Sequence, residues 1–287
     1  MRTPSPTQIW SLIRETVAEW INDRASRKGA ALAFYTVFSL APLLIIAISI
    51  AGLFFGEEAA RGEILVQMRD LLGPDGARAV QAVIENAAEP STGIWATLVG
   101  LATLLVGATT ALAELKDDLD EIWDAPPERI RGFWYLVRKR LLSVGMILAL
   151  GFLLLVSLAL SAVTAALSRL WGLDDSTSVL LQLVNFAISF VLVTALFAMI
   201  YKILPAVRIA WRDVTIGAII TALLFSIGKL LIGVYLGNSA IASTYGAAGS
   251  VILVLVWVYY SAQIFLLGAE FTKVYAFRFG SMSRHAN

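Results

Sequence analysis

SVILVLVWVYYSAQIFLLGAEFT (Ser250–Thr272) carries a single charged residue, Glu270, in 23 positions. At a helical rise of ~1.5 Å per residue such a run crosses the ~30 Å hydrocarbon core of a bilayer. Working outward from it, the same pattern occurs at Ala30–Phe55, Ile94–Ala113, Leu141–Leu167, Val179–Tyr201 and Val214–Leu236. Lipid offers backbone N–H and C=O groups no partners, and these runs are too long for barrel strands, so each reads as a helix. The expected fold is all-α, a polytopic membrane bundle of six transmembrane helices. Composition agrees: the 287 residues are 59% hydrophobic and 15% charged, with a mean hydropathy of +0.79, too apolar to cover a water-facing surface.

The basic residues orient the bundle. With both termini in the cytosol, 17 of the 22 Lys and Arg residues fall on inner segments, among them Arg24, Lys28, Arg138, Arg212 and Lys273. Only Arg61, Arg69, Arg78 and Arg169 fall outside, and Lys229 lies within a span. An odd number of spans would spoil that asymmetry. The expected organisation is a cytosolic amphipathic segment at 1–28, a transmembrane domain at 29–277 and a cytosolic tail at 278–287. Ile9, Leu12, Ile13, Thr16, Val17 and Trp20 recur at helical spacing and predict an amphipathic helix on the inner surface. The outer loop 56–93 reads as two short helices around the Gly73-Pro74 break. Beyond the second span, Leu112, Leu115, Leu119 and Ile122 continue as one apolar stripe among acidic neighbours, and Pro126-Pro127 ends that helix. No short apolar core with a cleavage site precedes the first block, so no removable signal peptide is expected.

Four stretches are similar to a known family: GAALAFYTVFSLAPLL (Gly29–Leu44), ALAELKDDLDEIWD (Ala111–Asp124), FSIGKLLIGVYL (Phe225–Leu236) and the run from Ser243 to Thr272. Together they resemble the YihY/BrkB family of bacterial inner-membrane proteins over about Trp20–Phe277. The resemblance implies a six-helix protein of the plasma membrane, with ion or small-solute transport as the function to test. The family's older ribonuclease label finds little support in the residues. The chain has no cysteine and a single histidine, His285, in a polar tail, whereas a metal-dependent nuclease needs several converging ligands. No nucleophile elbow, P-loop or dinucleotide fingerprint is present. The acidic run Glu114–Asp124 reads as the solvated side of a helix. The expectation is a protein without catalytic, metal or cofactor site and without nucleic acid as partner. A membrane scaffold or envelope factor that moves nothing is the alternative to transport.

Ionisable and polar groups inside spans are costly and mark candidate pathways. Lys229 ranks first: it either snorkels outward or faces a pocket along the small-residue stripe Ala218, Ala222, Ser226, Lys229 and Gly233. Gln182, Asn185 and Ser189 share one side of the fourth span and suit a polar pocket at its depth. Tyr259, Gln263 and Glu270 share one side of the sixth span and rank second, with Lys273, Arg208 and Arg212 as nearer partners for Glu270. Pro42 interrupts the first span and frees the Phe38 carbonyl, a candidate kink. The link Gly237–Gly249 is small, polar and poor in charge, and reads as a simple connection or a re-entrant loop.

Overall fold

Ser5 starts the first helix by donating its backbone N–H to the Gln8 side chain (2.9 Å) ahead of Pro6 at the first helical position, a preorganised N-terminus. The computed structural model describes residues 5–62, 64–66, 69, 77, 80–81, 110–126, 175–237 and 247–283. Among them all regular structure is helical and there is no strand. The elements are α1 (Pro6–Asn22), α2 (Ala25–Phe55), α3 (110–122), α4 (Asp175–Ile203), α5 (Trp211–Gly237) and α6 (Ala247–Arg278). Three of them, α4, α5 and α6, contain stretches long and apolar enough to cross a membrane: Phe186–Ile203, Trp211–Ile232 and Val251–Arg278. The span read at 30–55 falls within α2, whose helix continues through Pro42. The spans read at 94–113 and 141–167 lie outside the described residues, apart from 110–113, which begin α3. Most of the link after Gly237 lies outside them too, with α6 already helical at Ala247.

The helices run past the apolar blocks on which the sequence reading ended them. α6 continues six residues beyond Thr272 to Arg278, because ion pairs replace lipid contact there. α1 and α2 are joined by only Asp23 and Arg24, with Arg24 in the left-handed region at φ 52°. The C-terminus of α3 turns on Asp124, also left-handed at φ 49°. The Asp124 N–H reaches Glu121 O (3.1 Å) and the Ala125 N–H reaches Asp120 O (2.8 Å). This paired capping uses Asp where Gly is usual. It ends the helix before Pro126.

α6 is the hub: α1, α2 and α5 pack on it, and α4 packs on α5. On α5, Ile219, Leu223, Ile227 and Leu230 form an exposed apolar stripe, while Ala218, Thr221 and Ala222 on its other side are fully buried. That inversion suits a helix between lipid and protein, and it would be an aggregation hazard in water. Near the start of α6, Ile64, Leu65 and Val80 pack with Ile48 and Val254. α1 packs against α6 through buried Leu12 and Thr16, leaving Trp10, Ile13, Val17 and Ile21 exposed.

The α5–α6 seam rests on a reciprocal pair of Gly-x-x-x-Thr segments. The Thr272 side chain occupies the notch of Gly217, and the Thr221 side chain occupies the notch of Gly268. Each hydroxyl donates to a carbonyl of its own helix: Thr221 to Gly217 O (2.8 Å) and Thr272 to Gly268 O (2.6 Å). Small residues bring the backbones close, which is how membrane helices gain packing without a hydrophobic driving force. Tyr201 of α4 ties in the third helix, its hydroxyl donating to Phe265 O (2.7 Å) and lying 3.1 Å from the Thr221 hydroxyl. A Cβ on Gly217 would lie 2.8 Å from Thr272 Cβ. Gly217→Ala should therefore lower the apparent Tm in detergent, at a cost of about 1–3 kcal/mol. Adding Thr272→Gly should recover part of the loss. Strictly additive losses from the two changes would refute the notch.

Candidate functional site

The buried polar groups gather where α1, α2, α3 and the C-terminal half of α6 meet. On α1, Glu15, Glu19 and Asp23 recur every fourth residue and so share one side of the helix. They meet α6 as three successive rungs. Glu15 pairs with Arg278, which also donates to the Ser11 hydroxyl (2.7 Å). Glu19 lies 4.0 Å from Lys273, whose ammonium is held more closely by Asp124 of the α3 turn (2.7 Å). The third rung sets Asp23 against Glu270, acid against acid.

Glu270 is completely buried, and its carboxyl meets that of Asp23, a contact that is a hydrogen bond when one of the two carries a proton; among the described residues no other donor reaches its oxygens. Asp23 Oδ2 is buried and likewise without another partner among the described residues. The Asp23–Arg24 elbow, rather than any local pattern in α1, carries the Asp23 carboxyl to this position. Two turns along α6, Gln263 lies across Gly29, with Nε2 directed at Ala25 O (3.4 Å) and Oε1 unpartnered among the described residues. Any side chain at position 29 would collide with Gln263.

Two further ionic contacts close this end. Lys28 of α2, nearly buried, pairs with Glu121 of α3 (3.1 Å). Asp120 of α3 pairs with Lys116 and accepts from the Ala206 N–H (2.6 Å) in the link between α4 and α5. Asp118 is buried on the inner side of α3. Its carboxyl is pushed up to about 7, foremost by burial; Lys28 pulls it down, and Glu114, Glu121 and Asp117 add to the rise. Among the described residues no group of three His, Cys, Asp or Glu side chains could hold a metal ion.

The first-ranked pocket reads differently. Lys229 lies on α5, half-exposed. Its neighbour Gly228, not Lys229, meets α6, against Tyr260 and Ile264. The Ser226 hydroxyl is spent on Ala222 O (2.8 Å). Ser189 is half-buried on α4, and Gln182 and Asn185 belong to the same helix, their side chains outside the described residues. Tyr259 is half-buried on α6. The second-ranked set is the one that contains a buried unpartnered charge. Of the neighbours expected for Glu270, Lys273 is present, while the Asp23 and Glu19 carboxyls take the place foreseen for Arg208 and Arg212. The sequence reading missed Asp23. The four-residue acidic repeat of α1 was the available signal.

A family model described as Virulence factor BrkB matches residues 16–287. The chain is similar to a UPF0761 membrane protein of Alkalilimnicola ehrlichii, 30% identical over 264 residues that cover 92% of this chain and 57% of that protein. It is similar to a UPF0761 membrane protein of Pseudomonas aeruginosa, 30% identical over 254 residues covering 87% of this chain and 59% of the relative. A relative from Pseudoalteromonas translucida is 26% identical over 273 residues, covering 92% and 88% of the two chains. The chain thus spans less than two thirds of the length of the first two relatives. No solved structure gives a significant match.

Asp118 makes stability depend on pH. Its folded carboxyl titrates above the ordinary value, so the folded state keeps a proton that the unfolded chain has released. The resulting cost is absent well below 3.8, grows as pH rises from there, and is fully present above about 7. Asp118→Asn should raise the apparent Tm most above about pH 7, and the gain should shrink towards pH 3.8. A gain independent of pH would show that the carboxyl carries no such cost.

Proposed function

We propose that this chain, which belongs to the BrkB family of membrane proteins, translocates a small solute or ion and uses the Glu270–Asp23 rung as its loading site. The observation that carries this is a fully buried carboxyl in an apolar helix, faced by a second carboxyl and, among the described residues, reached by no other donor. Such an arrangement is costly in a span and is retained for pathways and relays. Two facing carboxyls are satisfied by a shared proton or by a bound ion, and either can be exchanged. The side of α6 carrying Tyr259, Gln263 and Glu270 supplies the polar track that leads from this end into the bundle. Lys229 would then serve the outer half of the route.

The concentration of basic residues on the segments flanking the rung supports reading it as the cytosolic end of a six-span protein of the bacterial inner membrane. α1 lies along the inner surface there, its exposed Trp10, Ile13, Val17 and Ile21 set into the headgroup boundary. We read the chain as a carrier rather than an enzyme, since one histidine and no cysteine leave few groups for catalysis. The rival reading is a scaffold that moves nothing, favoured by the tight glycine–threonine seam of α5 and α6.

Proteoliposomes loaded with a pH indicator provide the test. Addition of the transported solute, from a panel of inorganic ions, amines and organic acids, should move internal pH in wild-type vesicles. Glu270→Gln and Asp23→Asn should each cut that response roughly tenfold or more. A response that persists undiminished in Glu270→Gln would remove the rung from the pathway, and silence of the wild-type protein across the panel would favour the scaffold.

A further inference from the structure

We infer that the ligand of the Glu270–Asp23 rung is a small monovalent cation, an alkali ion or a primary ammonium, bound in exchange for one proton. The inference deepens the translocation reading by naming the class of ion, and the binding it asserts can be measured without any transport. The α1–α6 ladder carries the argument. In its first two rungs an acidic residue of α1 meets a cationic side chain of α6, Glu15 with Arg278 and Glu19 with Lys273. At the third rung the acid is present on α1 but α6 supplies Glu270. The rung lacks the positive charge that the other two possess. Glu270 is fully buried and its carboxyl meets that of Asp23; apart from each other, neither the Glu270 oxygens nor Asp23 Oδ2 has a partner among the described residues.

The charged groups around the rung decide which ligand fits. α1 contributes Glu19 and Asp23, and α6 contributes Lys273. The Lys273 ammonium is engaged by Asp124 of α3 at 2.7 Å. Lys28 of α2 is turned to Glu121. Among the described residues the carboxyls of Asp23 and Glu19 outnumber the one cation that acts on Glu270, Lys273, and that cation is shared with Asp124, so the local field is negative and disfavours an anion. A divalent ion would leave two carboxylates with no net charge where the protonated pair carries one negative charge, and a dedicated calcium site takes six to eight oxygen ligands. The rung offers two carboxyls, and among the described residues no third acidic or histidine side chain converges to hold a metal.

The exchange balances in charge. With one proton shared, the pair carries a single negative charge. When that proton leaves to bulk water and a monovalent cation enters, two carboxylates and one positive charge leave the same net value. Nothing else in the cluster needs to change its protonation. The unpartnered Oε1 of Gln263, farther along α6, is a neutral oxygen of the kind such ions accept as they move on.

The full chain, purified in detergent and held in weakly buffered choline chloride, is titrated with sodium, lithium, potassium or methylammonium chloride at constant ionic strength. A pH indicator reads proton release, and indole fluorescence reads occupancy, since Trp20 precedes Asp23 by one helical turn. At least one of these ions should release protons saturably, one per chain, with a half-saturation that rises about tenfold for each unit fall in pH. Glu270→Gln and Asp23→Asn should each abolish the release, with circular dichroism and elution profile unchanged. The inference is overturned by absence of saturable release with all four ions, or by release that survives in Glu270→Gln. Flux that depends on Glu270 without any cation-linked release would sink the cation and leave translocation standing. Cation-linked release without flux would uphold the cation and sink translocation.

Discussion

A polar group surrounded by lipid has only the protein to bond with, and this constraint organises every described helix. The α4–α5–α6 core meets it economically. The hydroxyls of Thr221 and Thr272 turn back onto carbonyls of their own helices. Tyr201, fully buried, directs its hydroxyl to the Phe265 carbonyl. None of these groups then faces hydrocarbon unpaired, and the same threonines fill the glycine notches that let α5 and α6 approach. Satisfaction of hydrogen bonds and closeness of packing are here one arrangement. The outer surfaces of α4 and α5 are left to apolar side chains such as Phe186, Val191, Leu223 and Leu230.

Against that background the end where α1 and α3 close on α6 stands out, because it leaves bonds unmade. Two backbone turns in the left-handed region frame it, at Arg24 and Asp124. Non-glycine residues there cost about 1 kcal/mol or more, and the two turns have a common effect. The Arg24 elbow brings Asp23 to Glu270, and the Asp124 turn brings a carboxylate to Lys273. Without the second turn, Lys273 would be free to neutralise Glu270. The second turn thus gives the Lys273 ammonium a carboxylate outside the rung, three residues from Glu270 on the same helix.

Much of this was legible in the sequence, for reasons that differ element by element. The blocks at Val179–Tyr201, Val214–Leu236 and Ser250–Thr272 are apolar over a membrane's width, and α4, α5 and α6 lie on them. Their ends were read short because hydropathy falls where Lys202, Asp213 and Lys273 begin, yet those residues are held by protein: Lys202 bonds the Ile209 carbonyl and lies over Trp211, and Asp213 accepts from Ser281. Glu270 was legible as the lone charge of its block. Asp23 was legible only as the third acid of the repeat Glu15, Glu19 and Asp23; that it meets Glu270 depends on a two-residue elbow whose direction no periodicity encodes. The small-residue stripe of α5 was seen, but its packed edge is Gly217 and Thr221 beside Ala218 and Ala222, one position round from the line through Ser226 and Lys229.

Lys229 and Glu270 are both charges in membrane helices, and the difference between them is one of reach. A lysine stem is long and flexible, and its ammonium can find headgroups or water from a half-exposed position. Glu270 has a short stem, no exposed atom and an acid for a neighbour. A lysine or arginine at position 270 would have completed the ladder and clamped α1 to α6 with three matched pairs. With glutamate there, the first two pairs hold α1 on α6, and the third contact is an acid against an acid that only a shared proton or a cation can make attractive.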